Sequence, residues 1–283
     1  MDLAKVNVWV DVFFSALYLV IIVALPIHFL VSIPKGRFRK KFIEHKWPEH
    51  DEAHPPAAPK VAHFTHLFFM FVLGFTGMYI RFPFFDGGRS AMRGVHYFAM
   101  IVVILVLIWR VWYAFFSKRR DWREFAITMK DVRSTPGVLL YYTFISDKKP
   151  HTAKYNVMQK MSYDLFLTMM LMQAFTGFSL LTQPILFGYS PRFVLLNWTI
   201  APIVGGSVAL AGAYMRILHF VLTWGFIIMT TIHVYLSATE DIPVTKNFFG
   251  FGGHSEEHGG ASAGVPAVSA PAPAPAPALA ESE

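Results

Sequence analysis

Two histidines, His219 and His233, stand fourteen positions apart in a single apolar run from about Tyr214 to Ser237. At about 100° per residue, fourteen steps return almost to the same face of a helix, with a rise of about 21 Å. One helix would therefore present two imidazoles on one side, near opposite ends of a hydrocarbon core of roughly 30 Å. Ionisable groups inside a span are costly and mark a site or a pathway more often than not. Imidazole nitrogens bind haem iron or relay protons, and which of these applies depends on the partners that the other elements bring to them.

Composition narrows the choice. The chain has 283 residues, 54% of them hydrophobic, with 28 Phe and a mean hydropathy of +0.44. That is too apolar for a soluble domain and points to an all-α, multi-pass membrane protein in a lipid bilayer. There is no cysteine, which removes iron–sulfur clusters, Cys-ligated zinc and covalently attached c-type haem. Redox chemistry in this chain must use histidine ligands. The formal charge is +7, but in a membrane protein the placement of Lys and Arg sets topology rather than implying a nucleic-acid partner.

Five spans are expected. The first, about Val8 to Ile33, includes Pro26 and His28, is longer than a signal-peptide core and reads as a retained helix over 1–33. A basic linker over 34–60 follows. The next spans are about Val61 to Ile80 with His63 and His66, Gly94 to Phe116 with His96 at its start, Met161 to Leu181, and the helix of His219 and His233, making a core over 61–240. The stretch from Phe193 to Ala213 is apolar but broken by Asn197, Pro202, Gly205 and Gly206, and reads as a surface or re-entrant segment rather than a sixth span. The tail, 241–283, turns to Ala-Pro repeats from about Phe251 and is expected to be mostly disordered. The loop from Ser117 to Lys160 is the most basic part of the chain. The positive-inside rule puts it and the 34–60 linker in the cytoplasm, with the N-terminus periplasmic and the tail cytoplasmic in a bacterial inner membrane.

This topology pairs the histidines by depth. His63 and His233 share the cytoplasmic level, and His96 and His219 share the periplasmic one. Two imidazole pairs from facing helices are what two b-type haems need, since each iron takes one nitrogen from either side of the porphyrin. A lone histidine in a span is more often a hydrogen-bonded packing residue, but four matched in depth reverse that preference. His66, one turn from His63, competes with it as the ligand, and His28 is a further reserve ligand. Gly74, Gly77, Gly177 and Gly225 would let a flat macrocycle approach the backbone, or would equally serve close helix packing. Arg93 and Arg216 each precede a histidine by three, one turn periplasmic, and would either neutralise haem propionates or anchor the helices at the interface. His45, His50, His54, His151, His254 and His258 fall in loops or the tail, where solvated histidines are ordinary.

The motifs Ala62-His63, Thr76-Gly77, Met92-Arg-Gly-Val-His96, Lys154-Tyr155-Asn156-Val-Met-Gln159-Lys160, Phe175-Thr-Gly177, Arg216-Ile-Leu-His219 and His233-Val-Tyr235 are found between Lys60 and Leu236. In them the chain resembles the cytochrome b (gamma) subunit of respiratory, quinone-linked formate dehydrogenases, a group related to the b-type cytochromes of hydrogenases and thiosulfate reductases. The resemblance implies ligation of two haems b by His63 with His233 and by His96 with His219. It also implies a menaquinone or ubiquinone site beside the cytoplasmic haem, with Asn156 as hydrogen-bond partner and Tyr155, Gln159 and Lys160 nearby. On spacing alone, that last motif reads as the start of a helix with basic residues at the membrane face.

The family's usual four spans correspond to spans two to five, so the first span is extra. The expected function is to pass electrons from a periplasmic iron–sulfur subunit and its catalytic partner to the quinone pool. The chain would carry the quinone site but not the substrate-oxidising centre. The alternatives are the cytochrome subunit of a hydrogenase or of a thiosulfate/polysulfide reductase, and, in another class, a haem-free transporter or membrane anchor.

Overall fold

The computed structural model describes residues 2–47, 57–148, 150, 155–185, 187–240 and 242–250. In chain order its helices are α1 (Leu3–Ser32), α2 (Ala57–Arg81), α3 (Arg89–Phe116), α4 (Trp122–Phe125), α5 (Met129–Tyr142), α6 (Val157–Leu180), α7 (Pro191–Trp198), α8 (Val208–Glu240) and α9 (Ile242–Phe248), with one π-turn at Arg39–Ile43 between α1 and α2. The all-helical expectation is met. Among the described residues, α1, α2, α3 and α8 are long and apolar enough to cross a membrane. The remaining expected span is α6, whose 24 residues reach about 36 Å. Gln159, Lys160, Asp164 and Gln173 lower its apolar character below that of the other four.

The broken stretch between α6 and α8 is not a sixth span. The one helix among its described residues, α7, has 8 residues, about 12 Å. It starts from a Ser190 cap and Pro191, and the chain then turns through Gly205 and Gly206, both with φ near +80. Residues with a Cβ adopt that conformation only at a cost, so helix cannot run through. α8 begins immediately after, six positions before the apolar run that marks it in the sequence. At the other end, α8 reaches Glu240 and α9 spans Ile242–Phe248, while the Ala-Pro repeats, His50, His54, His151, His254 and His258 lie outside the described residues.

The long helices form two close antiparallel pairs, α2 with α3 and α6 with α8, while few backbone contacts join one pair to the other. α1 runs parallel to α8, and the contacts descend in register: Phe14 stacks on Trp224, the Tyr18 and Thr231 hydroxyls are 3.2 Å apart, and His28 meets Tyr235. No residue of α1 is buried, so polar clamps rather than a packed face hold it in the chain. At the N-terminal end of α1, the Arg81 guanidinium donates to both Asp11 oxygens at 2.7 and 2.8 Å. Its plane lies 3.9 Å from the Phe220 ring.

The starts of α6 and α5 are each fixed by a reciprocal cap. Asn156 Oδ1 accepts from the Gln159 amide while Gln159 Oε1 accepts from the Asn156 amide, and Thr128 with Asp131 does the same for α5. Asp131 Oδ2 also takes a hydrogen bond from Lys160 Nζ at 2.8 Å, tying α5 to α6. Burial acts to raise the Asp131 carboxyl, but the hydrogen bonds from Lys160 and Thr128 overcome it and hold the group at about 2, below its ordinary 3.8. A carboxylate depressed in the folded state contributes stability that is complete above the unfolded value and is lost as pH falls through the folded one.

Both side chains of this pair are about a tenth exposed, and breaking a buried pair costs about 3–5 kcal/mol. Asp131→Asn is expected to lower the thermal midpoint in detergent by several degrees near neutral pH. The gap from the parent chain should narrow between pH 4 and 2, as the parent's own carboxylate protonates. A gap unchanged down to pH 2, followed by circular dichroism, would show that the ion pair is not its source.

Candidate functional site

The site is built from histidines on three helices, each set by its neighbours. In the His96–His219 pair, His96 Nδ1 lies 2.9 Å from Thr76 Oγ1, and His219 Nδ1 lies 2.8 Å from Thr176 Oγ1. Both threonine hydroxyls donate backward to a carbonyl of their own helix, Thr76 to Val72 at 2.7 Å and Thr176 to Gln173 at 3.0 Å. With the hydroxyl proton so committed, each Oγ1 accepts from the imidazole, which places the ring proton on Nδ1 and the lone pair on Nε2.

The residue after each threonine is glycine, and the ring lies against it. A Cβ on Gly77 would meet His96 Cε1 at 3.4 Å, and one on Gly177 would meet His219 Cε1 at 3.4 Å. Of the other two glycines, Gly225 serves helix packing, because its Cβ would strike Met169 at 2.6 Å, and Gly74 faces open space.

The rings of His96 and His219 are 6.4 Å apart between centroids, and so are those of His63 and His233. An imidazole nitrogen binds a metal at about 2.0–2.1 Å. With the ring centre about 1.1 Å behind that nitrogen, two axial imidazoles on one iron would be about 6.3 Å apart. Both pairs thus have the separation of a bis-imidazole haem. Such a haem needs only two protein ligands, which agrees with the finding that no group of three or more metal-binding side chains occurs among the described residues. Gln173 Nε2 also approaches His219 Nε2, at 3.3 Å, and Thr223 Oγ1, at 3.1 Å. The amide would have to stay with Thr223 alone once the imidazole nitrogen bound iron.

The second pair lacks such supports. Among the described residues neither His63 nor His233 has a hydrogen bond. Aromatic rings flank them instead, Phe248 of α9 at 4.9 Å from His63 and Phe166 at 6.4 Å from His233. The two reserve histidines are engaged elsewhere. His66 Nε2 is 3.3 Å from the Val103 carbonyl, so its ring turns to α3 while His63 faces His233. His28 uses both nitrogens: Nε2 donates to the Tyr142 carbonyl at 2.9 Å and Nδ1 accepts from the Tyr235 hydroxyl at 2.6 Å. It lines a small cleft with Arg37, Lys41, Tyr235 and Glu240 and has no lone pair left for a metal.

Arg93 and Arg216 are exposed, one turn from His96 and His219, and neither forms an ion pair among the described residues. Of the expected quinone residues, Asn156 is buried and Gln159 is bound to it in the α6 cap. Lys160 is paired with Asp131, and Tyr155 stacks on Phe125. The Asn156 side chain also meets the Tyr142 hydroxyl. Burial first, and then Glu124 and Asp121, push the Tyr155 hydroxyl up to about 12, which keeps it a neutral donor.

Thr76, Thr176 and Tyr142 carry contacts that the sequence reading assigned to no one. A signal for the first two was present, since Phe75-Thr76-Gly77 recurs as Phe175-Thr176-Gly177 in the other helix pair. A search of curated proteins gives no match. Residues 53–250, from just before α2 to just after α9, match the family model described as prokaryotic cytochrome b561. That span is most of the chain and holds both histidine pairs, leaving α1 outside. The chain belongs to the prokaryotic cytochrome b561 family and is a membrane b-type cytochrome of electron transfer.

Proposed function

We propose that this chain is the membrane subunit of a respiratory complex, akin to the gamma subunit of quinone-linked formate dehydrogenase. In this reading it passes electrons from a periplasmic iron–sulfur partner, itself served by a catalytic subunit, to menaquinone or ubiquinone. Two haems b are held by His96 with His219 and by His63 with His233. The observation that carries the proposal is the equal 6.4 Å ring separation in two pairs, set fourteen residues apart on α8. The haem iron supplies one-electron transfer when bound. The protein's part is to orient the imidazoles, to neutralise the porphyrin carboxylates with Arg93 and Arg216, and to set the order of the sites across the bilayer. The basic loops support a cytoplasmic His233 end and a periplasmic His219 end.

At the cytoplasmic end, Asn156, with Tyr155 and Lys160 beside it, would bind a quinone carbonyl. The Asn156 Oδ1 is occupied by the Gln159 amide and one hydrogen of its NH2 group by the Tyr142 hydroxyl, so the second NH2 hydrogen would be the donor to the quinone. Protons for quinone reduction would come from the cytoplasmic side, which makes the transfer charge-separating.

His63→Ala and His219→Ala are each expected to remove about one haem per chain by pyridine haemochrome assay. A purified parent protein without a b-type alpha band would overturn the proposal. Thr176→Val should shift the potential of the periplasmic component upward, because an imidazole that no longer donates from Nδ1 is a weaker donor to ferric iron. Thr176→Ser should restore it. Asn156→Leu is expected to weaken binding of a quinone analogue roughly two- to tenfold, the worth of one hydrogen bond of about 0.5–1.5 kcal/mol, and to leave both alpha bands in place.

A further inference from the structure

α7 is the one described helix in the segment between α6 and α8, and it delivers a cation toward His219. Its anchoring is specific on both sides. The Arg192 amide donates to the Leu181 carbonyl at the end of α6 at 3.1 Å, four residues past Gly177. Leu196 and Ala201 are fully covered by Ala211 and Met215 of α8 with Phe175 and Leu180 of α6.

From this seat the Arg192 guanidinium lies flat on the α8 backbone at Gly212. A Cβ there would meet guanidinium atoms at 2.3, 2.7 and 2.8 Å, so Gly212 is the surface on which the cation rests. Gly212 precedes His219 by seven positions, which on a helix is the same face within about 20° and about 10.5 Å nearer the N-terminal end of α8. The two helices that hold Arg192 are therefore the two that enclose His219. Among the described residues its guanidinium makes no hydrogen bond or ion pair. Arg216 and Arg93 approach the same end without an anion of their own.

A porphyrin held at His219 carries two carboxylates on its rim. Charge is costly in hydrocarbon, so these carboxylates must turn toward the aqueous end of α8, the end at which Arg192 rests on Gly212 and Arg216 lies one turn before His219. Resting on the haem reading of the His96–His219 pair, we propose that Arg192 is a positioning residue that binds a propionate of that haem and raises its potential. Gly212 is required because only glycine lets the guanidinium lie against α8. The segment carrying α7 is thus part of the periplasmic haem site, and Arg192 completes a cationic rim with Arg93 and Arg216.

The test is a redox titration of the purified chain, in which the periplasmic component is the one that disappears in His219→Ala. In Arg192→Gln the carboxylate loses its counter-charge and ferric iron is favoured. The reduced-to-oxidised ratio of that component at a fixed potential should fall roughly three- to tenfold, with the other component unmoved. Selective loss of the periplasmic haem from Arg192→Gln would support the assignment equally. Gly212→Ala, which displaces the guanidinium but keeps the charge in the chain, should move the same component in the same direction, and Arg192→Lys should fall between.

If Arg192→Gln cannot be isolated, Gly212→Ala and Arg192→Lys decide the matter. Unchanged potentials in the Arg192 variants, or equal shifts of both components, would overturn the proposal. So would unchanged potentials accompanied by weaker binding of an acidic partner protein. Absence of any b-type band in the parent chain would instead reject the haem reading itself.

Discussion

A buried imidazole in an apolar span is stabilised by partners for its nitrogens, and several hydrogen bonds between elements of this chain supply them. Thr76 and Thr176 take the Nδ1 protons of His96 and His219, the Val103 carbonyl takes His66, and Tyr235 with the Tyr142 carbonyl takes His28. Each of these hydrogen bonds joins two elements that are apart in sequence. Their effect is to sort the histidines. Where both nitrogens are bound by protein, as at His28, the residue is a clamp. At His96 and His219 the Nδ1 proton is held by a threonine, which leaves Nε2 as the nitrogen that could take iron, once the Gln173 amide is withdrawn from it at His219.

The two candidate haem positions differ in how they are held. The His96–His219 pair is fixed in tautomer and backed by glycine, with Arg93 and Arg216 exposed one turn away. The His63–His233 pair has ring contacts instead, from Phe166 and Phe248. Donation from Nδ1 makes an imidazole a stronger ligand to ferric iron, whereas a cation near a porphyrin carboxylate favours the ferrous state. In the proposed reading both influences would act at the His219 end. The His233 end lies beside the buried pair of Asp131 and Lys160 and the capped start of α6, where polar groups are abundant and already partnered. A quinone site built there would rest on a framework that the α5 and α6 caps hold rigid.

The division into helix pairs explains why α8 has so central a position. It packs against α6 along its length, offers His219 and His233 to the other pair, and gives α1 its line of contacts through Trp224, Thr231 and Tyr235. Substitutions on α8 are therefore the least separable in the molecule. α1 depends on it without contributing a buried residue, which fits a helix outside the residues shared with the family.

Much of this was legible in the sequence. Apolar length alone located α1, α2, α3 and α8, because backbone groups in hydrocarbon must be satisfied within a helix. The interval between His219 and His233 determined that both face one way, since helical geometry is local. The match of His63 to His233 and of His96 to His219 followed from counting spans and loop charges, and the breakers between Phe193 and Ala213 argued against a sixth span, which Gly205 and Gly206 prevent.

What tertiary structure decided were choices between near neighbours. His63 and His66 sit one turn apart on α2, and only the placement of α3, with its Val103 carbonyl, turns one away and leaves the other facing α8. Gly77 and Gly225 look alike as letters, yet one lies under an imidazole and the other under Met169. Arg192 carries no signal in its spacing, and only when α7 is seated does its guanidinium come to rest on Gly212. Sequence determines which face of a helix a residue is on. Which neighbour meets that face depends on contacts between segments distant in the chain, which no local spacing encodes.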